Sequence, residues 1–344
     1  MKRPLLLSLL LCSAPLSQAG SAADRGVFVG LAASVLRIEA PGQRGFSLGS
    51  GVVVAANKVV TNCHVTRDAR EVFVVRGGVR WRAAAHASHI ERDLCLFDVP
   101  GLESPPVTLL QGDALTLGQT VTALGYTGGM GIQSSTGEVV ELHRHDGSRV
   151  IQSSNWFSSG ASGGGLFDEQ GRLVGILTFR LRGGAAHYFA APAAWVGQML
   201  ADAESAGAIS RAADTSAQRH YWQERGQDSG QASGPGQPRF LKAALLLRDA
   251  RWLELEAVAG EWSRSDPDDS EPWHLLGTAL AQQGRAAEAQ LALQCSLWLT
   301  PQRALMAAHQ AAHQAALHNM ASDALPAAAA QVQANAQACR TETD

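Results

Sequence analysis

The chain has 344 residues, enough for two ordinary domains. Its 28 Lys and Arg nearly balance its 31 Asp and Glu, leaving a formal net charge of −3. A balance this even provides no broad attraction to a phosphate backbone, so bulk-charge binding to nucleic acid is excluded.

The chain opens with Lys2-Arg3, an apolar stretch from Leu5 to Cys12, and small residues ending Ser17-Gln18-Ala19. That layout predicts a secretory signal peptide over 1–19, cleaved after Ala19. Its apolar core is shorter than the roughly 20 residues needed to span a bilayer, and no later stretch is apolar for long enough. An exported product without a transmembrane anchor is expected.

From Val27 to Val196 short apolar runs alternate with Gly, Asn and Asp. Examples are Val52–Ala55, Val59–Thr61, Glu71–Val75, Leu94–Val99, Val121–Gly125 and Leu173–Thr178. Short strands with frequent turn signals predict an all-β barrel or sandwich. Ala193–Ala206 reads as a closing helix, with Gly207 just past its end. Residues 203–238, rich in Ser, Gly, Gln and Ala, read as a flexible linker that buries little. Beyond Phe240, Ala, Leu and Gln recur at helical spacing. Leu246 with Leu280, Leu255 with Ala289, Ala259 with Leu293 and Pro267 with Pro301 each lie 34 residues apart. That is the period of the tetratricopeptide repeat, and Trp273, Leu276, Gly277, Leu280, Gly284, Ala289, Leu293 and Pro301 fall where it expects them. The upstream copy is degenerate, with Lys242 and Ala243 at the positions of Leu276 and Gly277. Residues 239–338 are therefore expected to form a small α-helical, tetratricopeptide-like solenoid, closed by an Ala-rich stretch from Arg303 to Ala338.

The chemistry-bearing stretch is Gly160-Ala161-Ser162-Gly163-Gly164, just before the buried-strand pattern Leu173–Leu177. Glycines on both sides leave the hydroxyl uncrowded and let neighbouring N–H groups converge on one point. A serine hydroxyl needs a base to take its proton and a carboxylate to fix the tautomer of that base. His64 in Thr61-Asn62-Cys63-His64-Val65 and Asp93 in Asp93-Leu94-Cys95-Leu96-Phe97 supply both types. Asp98 and Asp68 are weaker rivals: Asp98 ends its strand before Pro100, and Asp68 sits in a polar turn.

This His…Asp…Ser order resembles the trypsin-like serine peptidases, in particular the short-loop bacterial HtrA/Deg branch. Gly49–Val54, Leu115–Val121, Ile151-Gln152 and Phe189-Ala190-Ala191-Pro192 add to the resemblance, which covers residues 27–200. It implies a chymotrypsin-like pair of six-stranded antiparallel β-barrels over residues 24–202, with the site in the cleft between them. It implies an endopeptidase in which Ser162 is the nucleophile, His64 the general base and acid, and Asp93 the orienting carboxylate. The backbone N–H groups of Gly160 and Ser162 would form the oxyanion hole, and Thr178 would donate a supporting hydrogen bond to Asp93. Trp156 and Phe157 on one wall, with Thr178, Phe179 and Arg180 on the other, would form the pocket for the residue before the cut. No acid stands at Trp156, so a preference for Lys or Arg is not expected. No cofactor or metal is implied. His309, His313 and His318 read as polar positions on an Ala-rich helix rather than ligands.

Two departures stand out. Ala161 replaces the aspartate or asparagine usual in relatives, and Gly165 replaces a common proline. Either could leave the oxyanion hole unformed, which keeps open a second reading: a weak or silent protease fold acting as a binding scaffold. The helical repeats would bind a protein partner or a substrate segment. After signal removal four cysteines remain. Should His64 touch Asp93, Cys63 and Cys95 come near bonding range, and Cys295–Cys339 is a second expected pair.

Overall fold

The computed structural model describes residues 29–42, 45–112, 114–128, 131–181, 187–206, 219–223 and 237–300. The first barrel is built from β1 (Val35–Gly42), β2 (Gly45–Ala55), β3 (Lys58–Thr61), β4 (Val72–Arg76), β5 (Val79–His89) and β6 (Leu94–Asp98), with a one-turn helix, α1 (Cys63–Thr66), after β3. The second comprises β7 (Thr120–Tyr126), β8 (Ile132–His145), β9 (Ser148–Ser153), β10 (Gly165–Asp168), β11 (Leu173–Leu181) and β12 (His187–Pro192). Helix α2 (Ala193–Ala206) follows, then α3 (Arg239–Arg248), α4 (Trp252–Ser265), α5 (Ser270–Gln282) and α6 (Ala286–Leu299).

Both barrels are closed, antiparallel and six-stranded, and they share one connectivity: β1-β2-β3-β6-β5-β4 in the first and β7-β8-β9-β12-β11-β10 in the second. Side-chain alternation sets their relation. Successive residues on a strand face opposite ways, so Val53 enters the interior of the first barrel while Val52 and Val54 face outward into the core shared with the second. In β6, Cys95 and Phe97 likewise point inward, while Leu94 and Leu96 point to the shared core. A continuous apolar run thus serves two interiors, and this packing sets the two barrels against each other.

The same shared core extends into the helices through Phe240, Leu241, Ala243, Leu246, Leu255, Ala259, Trp262, Leu275 and Ala279. Phe240 stacks on His143 of β8 with centroids 4.4 Å apart. His143 Nδ1 lies 2.8 Å from Glu271 Oε1 of α5, and its Nε2 lies 3.0 Å from Gln152 Oε1. Both members of this ion pair are buried. Burial pushes the Glu271 carboxyl up to about 7. Burial opposes charge on His143 too, but the Glu271 carboxylate outweighs it and raises the imidazole above its ordinary value.

The helices repeat in detail. Helix α6 follows α4 at the 34-residue offset, and each has 14 residues. Ala250 and Gly284 both adopt positive φ (53° and 78°), and the bonds Arg251 N–H to Leu246 O and Arg285 N–H to Leu280 O match at 2.9 and 3.0 Å. Gly277 is required by the close approach of α6, since a Cβ there would lie 2.6 Å from Leu293 Cγ. Among the described residues no helix is long and apolar enough to cross a membrane. The predicted signal peptide, Cys339 of the second expected disulfide, and His309, His313 and His318 lie outside the described residues.

Candidate active site

Asp93 closes a turn with its N–H donating to Ile90 O (3.0 Å), and it adopts φ +57°, a conformation Asp tolerates better than most residues. The turn delivers a fully buried carboxylate to the end of β3. There the first turn of α1 meets it: His64 N–H donates to Oδ1 at 2.9 Å, and His64 Nδ1 lies 2.6 Å from Oδ2. An ionised carboxylate only accepts, so the shared proton sits on Nδ1 and the Nε2 lone pair stays free. The Asp93 carbonyl accepts from Cys63 N–H (3.3 Å) and Asn62 Nδ2 (3.0 Å), tying the two segments together through the main chain as well. The Cys63–Cys95 disulfide, with Cα atoms 5.0 Å apart, locks the same junction. Asp98, the rival carboxylate, instead pairs with Lys58 at 3.3 Å.

Ser162 comes from the loop before β10 in the second barrel. Its carbonyl accepts from Ser50 N–H (2.8 Å), and its hydroxyl donates to Thr178 O at 3.3 Å. The loop is clamped by neutral groups. Ser50 Oγ donates to Gly160 O (2.7 Å) and accepts from Tyr126 N–H (2.8 Å), while Ala161 is buried in the interior of the second barrel. Gly160 sits at φ +98°, with a Cβ position only 2.5 Å from Tyr126 O, so both the turn and the close approach require glycine. The Ser159 carbonyl accepts from Gly128 N–H at 2.9 Å. In a trans peptide the C=O and the following N–H point oppositely, so Gly160 N–H is turned away from Gly128. Among the described residues neither Gly160 N–H nor Ser162 N–H is taken by an acceptor.

The structure differs from the sequence reading at three places. Thr178 Oγ1 donates its single proton to Ile176 O (2.8 Å) and accepts from Ala191 N–H and Asn62 Nδ2 (both 3.3 Å), so it is not the donor to Asp93. The donor is Trp222, whose indole N–H reaches Asp93 Oδ2 at 3.1 Å. Trp222 lies within the stretch read as a flexible linker, yet residues 219–223 pack on the site. His220 Nδ1 lies 2.6 Å from Ile90 O, and Tyr221 N–H donates to Glu91 O at 2.9 Å. Burial lowers the His220 pKa from its ordinary value, and the neutral ring accepts from Arg67 Nη2 on Nε2 (2.7 Å). Third, the expected pocket residues are divided. Phe157 is buried against Tyr188, Phe179 is stacked between Phe189 and Trp222, Trp156 is 57% exposed, and Arg180 is exposed. Ser50 was also missed by sequence reasoning; its signal was its place between two glycines in Gly49-Ser50-Gly51.

Residues 49–176 match the family model of the trypsin-like peptidase domain. A probable periplasmic serine endoprotease, DegP-like, from Ectopseudomonas mendocina is 34% identical over 136 residues, covering 38% of this chain and 29% of that protein. Periplasmic serine endoprotease DegP of Escherichia coli is 30% identical over 145 residues, covering 40% and 31%. The chain spans about a third of the length of such curated relatives. Among solved structures, the HtrA-type protease AlgW with tripeptide is 26% identical at a TM-score of 0.50, covering 54% of this chain and 64% of that one. The serine endoprotease from Yersinia pestis shares the fold at 22% identity and a TM-score of 0.51, covering 56% and 70%.

Proposed function

We propose that the chain is an exported serine endopeptidase acting through Ser162, His64 and Asp93. The reading is carried by the imidazole of His64 fixed by a buried carboxylate through Nδ1, which leaves Nε2 as a base. The Ser162 hydroxyl donates to Thr178 O, so this mechanism requires it to turn to another rotamer that faces that nitrogen. As Oγ attacks the peptide carbonyl, its proton passes to His64 and the carbonyl electron pair moves onto oxygen. The N–H groups of Gly160 and Ser162 then stabilise that oxygen, a contribution of about 10²–10³ in rate per donor. His64 returns the proton to the departing amine as the C–N bond breaks, and water hydrolyses the acyl-enzyme by the same route.

Export to an oxidising compartment such as the periplasm is supported by the leader-like N-terminus, the Cys63–Cys95 bridge and the periplasmic relatives. The division into a peptidase domain over 24–202 and tetratricopeptide-like helices over 239–338 is supported by the barrel topology and the 34-residue recurrence. The helices would hold a partner protein or a substrate segment. A second reading, a silent protease fold used as scaffold, is favoured by the Ser162 hydroxyl donating to Thr178 O. Labelling by a serine-reactive phosphonate separates the two. The peptidase is labelled, and Ser162→Ala and His64→Ala abolish labelling; a folded, unlabelled chain is the scaffold.

A further inference from the structure

From the contacts of residues 219–223 we infer that Trp222 is a positioning residue of the triad: its indole N–H holds the Asp93 carboxylate that orients His64. The inference rests on the peptidase reading. The carboxylate is fully buried, and among the described residues its hydrogen-bond donors are His64 N–H, His64 Nδ1 and Trp222 Nε1. His220 Nε2 also lies 3.4 Å from Oδ1, but that nitrogen accepts from Arg67 while Nδ1–H donates to Ile90 O, so it has no proton to give the carboxylate. Two of the three donors belong to the residue being oriented. Of the three, only Trp222 fixes the carboxylate from outside α1. Thr178, the expected outside donor, spends its proton on Ile176 O.

The indole is well suited to that part. It is a donor only, with a single N–H, on a rigid ring. Its plane is held in a stack, with Phe179 at 5.2 Å and 14° and His220 at 5.4 Å and 18°. Its T-shaped contact with His64, at 5.4 Å and 85°, limits rotation of the imidazole as well. One side-chain and one main-chain bond set the height of the N–H. His220 binds Ile90 O and Tyr221 N–H binds Glu91 O, on the same turn that gives Asp93 its left-handed backbone. Arg67 bonds both His220 Nε2 and Gln223 Oε1, closing the segment onto α1. Tyr221 anchors the far side, packing on His145, Trp195 and Phe240. The triad is thus completed from residues beyond the second barrel and outside the span 49–176 that matches the peptidase family model.

The test uses the full chain with Trp222→Phe, which keeps the stack and removes the N–H, and Trp222→Ala, which removes both. Loss of a hydrogen bond to a buried charge is expected to lower kcat of the Phe variant about tenfold with KM unchanged, and to slow labelling by a small phosphonate equally. The Ala variant loses more and also changes KM. Proton NMR reads the His64 Nδ1–H resonance directly, without need of turnover. In a Ser162→Ala background, Trp222→Phe is expected to shift or broaden that resonance. An unchanged resonance with unchanged kcat overturns the inference. Faster turnover in either variant also overturns it, because the indole would then be an obstruction. If the unmodified chain is neither labelled nor active, the peptidase reading fails, and the resonance alone still decides whether Trp222 holds Asp93.

Discussion

The Cys63–Cys95 bridge gives the most direct quantitative prediction. It joins residues separated by 32 positions, and in the chain-entropy treatment a loop of that size stabilises the fold by about 3.7 kcal/mol. Replacing both residues with alanine removes the cross-link while keeping small apolar side chains in the interior of the first barrel. The β3–β6 ladder, which pairs Thr61 with Cys95, remains to keep the register. The double variant is therefore expected to fold in buffer and to be labelled by the phosphonate. It should unfold at a urea concentration lower by roughly 2 M, taking a slope of about 2 kcal/mol per molar. Unfolding followed by tryptophan fluorescence, with and without reductant on the unmodified chain, measures this twice. A midpoint shift below about 0.5 M in both experiments would refute the reasoning, since the native ladder would then be supplying the constraint by itself.

Other substitutions probe the serine loop and the helix interface. Gly163 sits at φ +85° with its Cβ position against Ser50 O and Thr61 Oγ1, so Gly163→Ala should cost more than about 2 kcal/mol and lower the melting temperature. Ser50→Ala removes the donor to Gly160 O and the acceptor for Tyr126 N–H; phosphonate labelling should slow at least tenfold with the fold retained, as near-UV circular dichroism would show. The buried His143–Glu271 pair predicts a pH dependence. Both folded values lie above the unfolded ones, so the stabilisation is complete below about pH 4.5 and is lost as pH rises through about 7. For Glu271 alone the change is on the order of 3 kcal/mol. Urea midpoints between pH 5 and pH 8 measure it, and Glu271→Gln should flatten the curve.

Much of this was legible in the sequence because it depends on local pattern. The apolar runs around Val53 and Leu96 announced strands, and their unbroken character reflects two interiors served by one strand. The 34-residue recurrence gave the helical hairpins before any contact was known. The site read through His64, Asp93 and Ser162 depended on short contexts around each residue. What escaped depended on tertiary registration. Thr178 lies where the β11–β12 register shifts, between Leu177 and Phe179, and that irregularity aims its hydroxyl at Ile176 O instead of Asp93. His220-Tyr221-Trp222 sits in a Gln-, Gly- and Ser-rich stretch whose average composition argues for solvent. The available signal was the aromatic cluster itself, since adjacent large rings seldom occur where nothing covers them.

The apolar core common to the second barrel and helices α3 to α5 has a consequence for biogenesis. As the polypeptide is made, the first barrel can close early and the second once β12 is complete. The flank of the second around His143 and Phe189, however, stays bare until the chain has been extended through Phe240 and Trp262. During that interval an oily, aromatic surface faces whatever is nearby, which is the condition under which nascent chains stick to one another. A chain cut short before these helices leaves that surface uncovered and is the form most prone to clumping.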